Sequence, residues 1–285
     1  MLPNTKKIKQ LELTANKVRR LIITSLLEAG SGHPGGSLGM ADVFTSLYFY
    51  ALKHNPRKPL WKNRDRLVLS NGHICPVQYV CLAMSGYFPI KELKTLRKIG
   101  SRLQGHPHRT SLPGIETTSG PLGEGLSQAI GMALAAKMDK AKYQIFCLTS
   151  DGEHQEGNHW EAAMFAGKNK LNNLIQIIDR NNIQISGYVK DVMSLEPLKE
   201  KYLAFNWNVL ETNGNNIKEI IETISKVKAE KNKPTVIIAN TVPGMGVSFM
   251  ENDYKWHGKT PNKEEAKRAI DELLALREMI IHKKK

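Results

Sequence analysis

The sequence predicts an α/β protein built as a single domain, a parallel β-sheet with helices on both faces. Short, continuous apolar runs recur along it: RLVL at 66–69, YQIFCLT at 143–149, LIQIID at 174–179 and TVIIAN at 235–240. Continuous rather than alternating apolar character marks strands covered on both faces, which is the state of a parallel sheet between helical layers. Stretches of helical periodicity separate these runs. Two runs also end directly on polar turns, SDG at 150–152 and DRNN at 179–182, as strands that lead into ligand-binding loops do.

The elements follow in order. Val18, Leu21, Ile22 and Leu26 recur at helical spacing and the segment closes at Gly30. SGHPGGS then reads as a loop before a second helix at 39–52. The 66–69 strand runs into Ser70-Asn71-Gly72-His73, followed by helical stretches at 73–85 and 90–98. GPLGEG at 120–125 reads as a glycine-rich loop feeding an alanine-rich helix. After the 143–149 and 174–179 strands comes a weaker strand near 207–210 and then the run at 235–240. The last helix, about 262–281, has Asn262 as N-cap with Glu264 and Glu265 in its first turn. No repeat, low-complexity stretch or linker divides residues 1–285, and only 1–12 and 282–285 stand apart as basic termini.

A chain of 285 residues buries roughly 75% of its unfolded surface, enough for a core without staples. The 41% hydrophobic and 24% charged content excludes a largely disordered chain. No apolar run approaches the roughly 20 residues of a membrane helix, and MLPNTKKIKQLEL lacks the pattern of a secretory signal. Cys75, Cys81 and Cys147 show no CxxC spacing and fit reduced thiols of a cytoplasmic protein. The net charge of +14 attracts anions. No aromatic residues interleave with the basic ones in a nucleic-acid motif, so neither nucleic acid nor membrane is an expected partner.

Three constellations carry chemistry. Asp151 and Asn181 lie one strand–helix–strand unit apart and emerge at the same sheet edge. Gly152 lets backbone approach a ligand there. An Asp carboxylate, an Asn carbonyl oxygen and a backbone carbonyl are hard oxygen donors suited to Mg²⁺ or Ca²⁺. Four histidines sit beside glycine: Gly32-His33, Gly72-His73, Gly105-His106 and His257-Gly258. Such imidazoles can donate to phosphate, orient a hydroxyl or pass a proton. No HExxH motif or cysteine pair supports zinc. The third is 120–125, three glycines opening a helix, read as a phosphate-type turn with free N–H groups. It has neither the P-loop lysine nor the strand that a dinucleotide fingerprint needs.

SGHPGGSLGMADV, LSNGH, QGHP, GPLGEG, SDGEHQEGNHWEA and NNIQISG occur in this order and closely resemble the N-terminal half of transketolases, over about residues 14–262. The chain resembles most the N-terminal subunit of a split transketolase. The resemblance implies a thiamine-diphosphate-binding fold and thiamine diphosphate held through a divalent ion, Mg²⁺ or else Ca²⁺ or Mn²⁺. It places Asp151, Asn181 and the backbone carbonyl of Ile183 on the metal. Gly152, Asn181 and His73 fall on the diphosphate, Leu122 and Gly123 on the loop that approaches the cofactor. His33, His106 and His257 match histidines around the reacting sugar, and Glu156 a glutamate of an interfacial acid network. The implied reaction moves a two-carbon ketol unit from a ketose phosphate to an aldose phosphate. It requires a separate C-terminal subunit, and the pair is expected to form a heterotetramer. Ser150 replaces the first glycine of the usual GDG, Glu124 stands where glutamine is common, and His108 where glutamate usually follows GHP. A related ketol or acyl transferase acting on another sugar, or a non-catalytic cofactor-binding subunit, are the alternative readings.

Overall fold

The computed structural model describes residues 3–227 and 229–283. Its helices and strands are, in chain order, α1 (Thr5–Ala29), α2 (Pro34–Gly39), α3 (Ala41–Ser46), β1 (Arg66–Leu69), α4 (Cys75–Ser85), α5 (Gly125–Met138), β2 (Ile145–Ser150), α6 (Gly157–Lys168), β3 (Leu174–Arg180), β4 (Ile183–Gln184), β5 (Gly187–Tyr188), α7 (Val189–Val192), α8 (Leu198–Ala204), β6 (Asn208–Asn213), α9 (Ile217–Val227), β7 (Thr235–Asn240) and α10 (Lys263–His282).

Five strands form one sheet in the order β1-β2-β3-β7-β6, and every pairing is parallel. Successive residues of each strand point to opposite faces. Phe146, Leu148, Ile175, Ile177 and Ile237 enter one core with residues of α1, α3, α4, α9 and α10. Ile145, Cys147, Leu174, Ile178, Val236 and Ile238 enter the other with α5, α6 and α8. Both faces are therefore dry, which is why the strands read as unbroken apolar runs. The three cysteines are buried and unpaired. Among the described residues no helix is long and apolar enough to cross a membrane.

Helix ends obey their local signals. Asn4 accepts the Lys7 N–H at the start of α1, and Gly30 closes it in the left-handed conformation with φ 67°. Asn262 and Glu265 form a reciprocal capping box at α10. Val18, Ile22 and Leu26 face the core, as their spacing predicts.

Some expectations need correction. The supposed loop SGHPGGS is already helical from Pro34, which occupies the first turn of α2, where its fixed φ and missing N–H cost nothing. The single helix expected at 39–52 is broken at Met40 between α2 and α3 and ends in a π-turn at Leu47–Ala51. The segment 90–98 forms only a 3₁₀ turn, Ile90–Thr95, followed by Arg97 at φ 60°. The weak strand at 207–210 lies further on, as β6. Most of the basic terminus 1–12 is the first part of α1, in which Leu11 is buried. Met1, Leu2, Lys284 and Lys285 lie outside the described residues.

Candidate active site

The carboxyl ends of β1, β2 and β3 lie side by side, with Ser150 of β2 in register with Asp179 of β3. Beyond them opens a cavity of about 490 Å³. Its wall brings together His33, His73, His106, His257, Leu122, Gly152, Glu156, Asn181 and Ile183, residues from seven separate stretches of sequence. Glu156 is exposed at the N-cap of α6. His108 is not part of the wall and bonds Ser111 instead (3.0 Å).

The histidines form a cluster. Ring centroids of His33 and His73 are 5.0 Å apart, His33 and His257 5.5 Å, and His73 and His257 5.2 Å. The neighbouring glycines lie against the rings. A methyl group added at Gly72 would lie 3.3 Å from the His106 ring, and one at Gly258 would lie 3.5 Å from the His33 ring. Burial, reinforced at His33 by its neighbours, pushes His33 and His257 down to about 4. His73 is lowered well below its ordinary value, and His106 is lowered too, in each case chiefly by burial. At neutral pH the cluster is uncharged, each ring offering one donor and one acceptor. His33 Nδ1 and His257 Nδ1 are buried without a hydrogen-bond partner.

These shifts fix the sign of a pH effect. Between the unfolded histidine value, about 6.5, and the folded value near 4, the unfolded chain binds more protons. The histidines' contribution to stability should therefore be fully present above about pH 6.5 and fall as the pH drops toward 4, against an opposite contribution from the buried Glu153 and Asp179 carboxyls, each raised to about 7. The difference in urea unfolding midpoint between wild type and His257→Gln, followed from pH 7 to 5, should change as the His257 contribution is lost, and a pH-independent difference would contradict it.

Asp151 and Gly123 lie just behind the wall. Asp151 is fully buried, and burial raises its pKa. Its Oδ1 accepts from Gly152 N–H (2.8 Å), and its Oδ2 accepts from Asn182 N–H and from Arg180 Nη1 (2.9 Å). Asn181 donates its amide to Asp179 Oδ2 (2.8 Å) and accepts the Ile183 N–H at Oδ1 (3.0 Å), which orients the amide oxygen. The donors on these adjacent strand ends are a carboxylate and an amide oxygen, the carboxylate already paired with Arg180. Only one is charged. This fits a hard divalent cation that keeps coordination positions for phosphate oxygens. No group of three His, Cys, Asp or Glu side chains suited to a metal occurs among the described residues.

The glycine-rich loop corrects one expectation. The N–H groups of Gly123 and Gly125 are not free: Gly123 donates to Glu153 Oε1 (2.7 Å) and Gly125 to Ser70 Oγ (3.0 Å). Gly123 has φ 82° and Asn158 pressed against the place a side chain would take, so only glycine suits it. Glu153, which sequence reasoning missed, ties the site together. It accepts from Ser70 Oγ, Gly123 N–H and Ser150 N–H (3.0 Å), joining the ends of β1 and β2 to the loop. It is fully buried, and burial raises its pKa to about 7. The available signal was an acid directly after Asp151-Gly152. Glu153→Gln would aim an amide N–H₂ at one of these donors, with an expected cost of about 1–3 kcal/mol. Urea unfolding measures it, and an unchanged midpoint would show that the carboxylate is not the tie.

Residues 10–276 match the family described as "Transketolase, thiamine diphosphate binding domain". The chain is 43% identical over 263 residues to a 6-deoxy-6-sulfo-D-fructose transketolase subunit of a Clostridium species, covering 92% of this chain and 96% of that one. It is also 43% identical over 267 residues to an apulose-4-phosphate transketolase subunit of Phocaeicola vulgatus, covering 94% and 95%. The crystal structure of transketolase from Campylobacter jejuni superposes with TM-score 0.86 at 38% identity, over 93% of this chain and 43% of that one. The chain thus spans nearly the whole of the related subunits and less than half of that solved transketolase.

Proposed function

The chain belongs to the transketolase family, and we propose that it is the diphosphate-binding subunit of a two-subunit transketolase, moving a two-carbon ketol unit between sugars with an anionic terminus. The observation that carries this reading is that Asn181 and four neutral histidines line one cavity at the sheet's carboxyl edge, with the Asp151 carboxylate buried behind its wall.

Asp151, Asn181 Oδ1 and the Ile183 carbonyl would hold Mg²⁺, or Ca²⁺ or Mn²⁺ in its place. Gly152, Asn181 and His73 would contact the diphosphate, and Leu122 and Gly123 would flank it. Bound thiamine diphosphate supplies a carbon nucleophile for chemistry at the donor ketone. His33, His106 and His257 orient the sugar hydroxyls, and as neutral imidazoles each can take a hydroxyl proton at an unprotonated ring nitrogen and return it.

A partner subunit is supported by the relatives, which are themselves named as subunits, and the charge distribution agrees with it. The chain carries +14, yet no lysine or arginine is among the residues lining the cavity. The cation that meets the sugar's phosphate or sulfonate is supplied by the C-terminal subunit. Exposed apolar residues near the cavity and on α6, Ile185 (75% exposed), Met193 (59%) and Met164 (55%), offer surface for it, with Glu156 at the mouth for an interfacial acid contact. Two copies of each subunit in a heterotetramer, in the cytoplasm, complete the proposal. The relatives named for sulfofructose and apulose phosphate widen the donor class beyond common pentose phosphates. A ketol-transfer assay with the partner subunit, across phosphorylated and sulfonated ketoses, tests the reading. Absence of transfer from every anionic ketose would overturn it.

A further inference from the structure

Arg97 belongs to none of the sequence motifs around the cavity. It follows the 3₁₀ turn Ile90–Thr95 and adopts φ 60°, a left-handed conformation that non-glycine residues hold only where the surroundings enforce it. Its N–H donates to Leu103 O (2.9 Å), which fixes the direction of its side chain. The guanidinium then reaches two segments that are far apart in sequence. Nη1 lies 3.4 Å from Ser31 Oγ, and Nη2 lies 3.4 Å from Gly105 O. Ser31 precedes Gly32-His33, and Gly105 precedes His106.

The steric fit is tighter than these long hydrogen bonds. A methyl group added at Gly105 would lie 2.9 Å from both Cζ and Nε of Arg97. Gly105 does not have a left-handed φ; the flat guanidinium occupies the space a side chain there would take. The same peptide is held from its other side by α4, where Cys75 Sγ donates to Gly105 O (3.2 Å) and Tyr79 OH to Gln104 O (2.8 Å).

We infer that Arg97 is a positioning residue, a planar clamp that fixes the segments carrying His33 and His106 against each other. The inference rests on the ketol-transfer reading for its consequence and on packing alone for its geometry. A fork with several donors spans two segments as a single ammonium cannot. The clamp also brings charge. The groups facing His33 are His73, His257, His106 and Arg97, and those facing His106 are Arg97, His33 and His73. Of these only Arg97 is charged at neutral pH, and it disfavours protonation of both His33 and His106.

Two variants separate these roles. In Arg97→Met the His33 and His106 resonances of the cofactor-free chain, followed by NMR, should titrate at higher pH than in wild type. With the partner subunit, kcat/KM should fall about tenfold, the scale of a sub-ångström to ångström misplacement, and its acid limb should move to higher pH. Arg97→Lys keeps the charge and loses the fork, so histidine titration should stay near wild type while kcat/KM still falls. Wild-type titration and kcat/KM in Arg97→Met would overturn the inference. If that variant does not fold, wild-type kcat/KM in Arg97→Lys would overturn it. A wild-type pair that shows no ketol transfer would instead sink the functional reading, and the NMR comparison would still decide whether Arg97 governs the two histidines.

Discussion

Alone, the chain should show no ketol transfer; mixed with its C-terminal partner, thiamine diphosphate and Mg²⁺, it should turn over, a difference of at least about 10³-fold. The expectation comes from what the cavity holds. Its wall supplies oxygen donors for a cation and neutral imidazoles for hydroxyls, but no lysine or arginine among the lining residues. A sugar phosphate or sulfonate placed there would keep an unpaired terminal anion. Losing one preorganised electrostatic partner costs about 10²–10³ in rate, and the proposed partner subunit brings further groups. Steady-state assay of each subunit and of the mixture checks this. Full turnover by the isolated chain would contradict it.

Asp151→Asn should weaken Mg²⁺-dependent binding of thiamine diphosphate about 100-fold, because cation affinity depends on ligand charge and Asp151 is the only anionic donor in the proposed set. The fold should survive. Asparagine keeps the volume, and Arg180 retains its 2.8 Å ion pair with Glu196. Calorimetric titration with circular dichroism as a control checks both points. Unchanged affinity in a folded variant would put the cation elsewhere.

How much of this was legible in the sequence depends on the kind of signal each residue leaves. The strands that line up Asp151 and Asn181 were readable because two-sided burial makes their apolar runs continuous. The histidines were readable because they share one loop pattern, each beside glycine, and the fold gathers those loops at one cavity. By contrast, α2 was obscured because PGGSLG has poor helix propensity; it is helical through Pro34 in its first turn and burial of all six of its residues. The hairpin of β4 and β5, two residues per strand, is too short for any periodicity to appear. Glycines at 123 and 125 suggested open N–H groups, since sequence does not reveal that Glu153 and Ser70 reach them. Arg97 left no local signal, because its partners are 66 and 8 residues away.

Whether this cavity grips a diphosphate through a cation held by Asp151, Asn181 and Ile183 decides everything built on it. Titration of thiamine diphosphate into the chain with its partner subunit, once with Mg²⁺ and once with chelator, tests that grip most directly. The expected result is saturable binding with Mg²⁺ that is lost in chelator. Equal binding in both, or none in either, would contradict it.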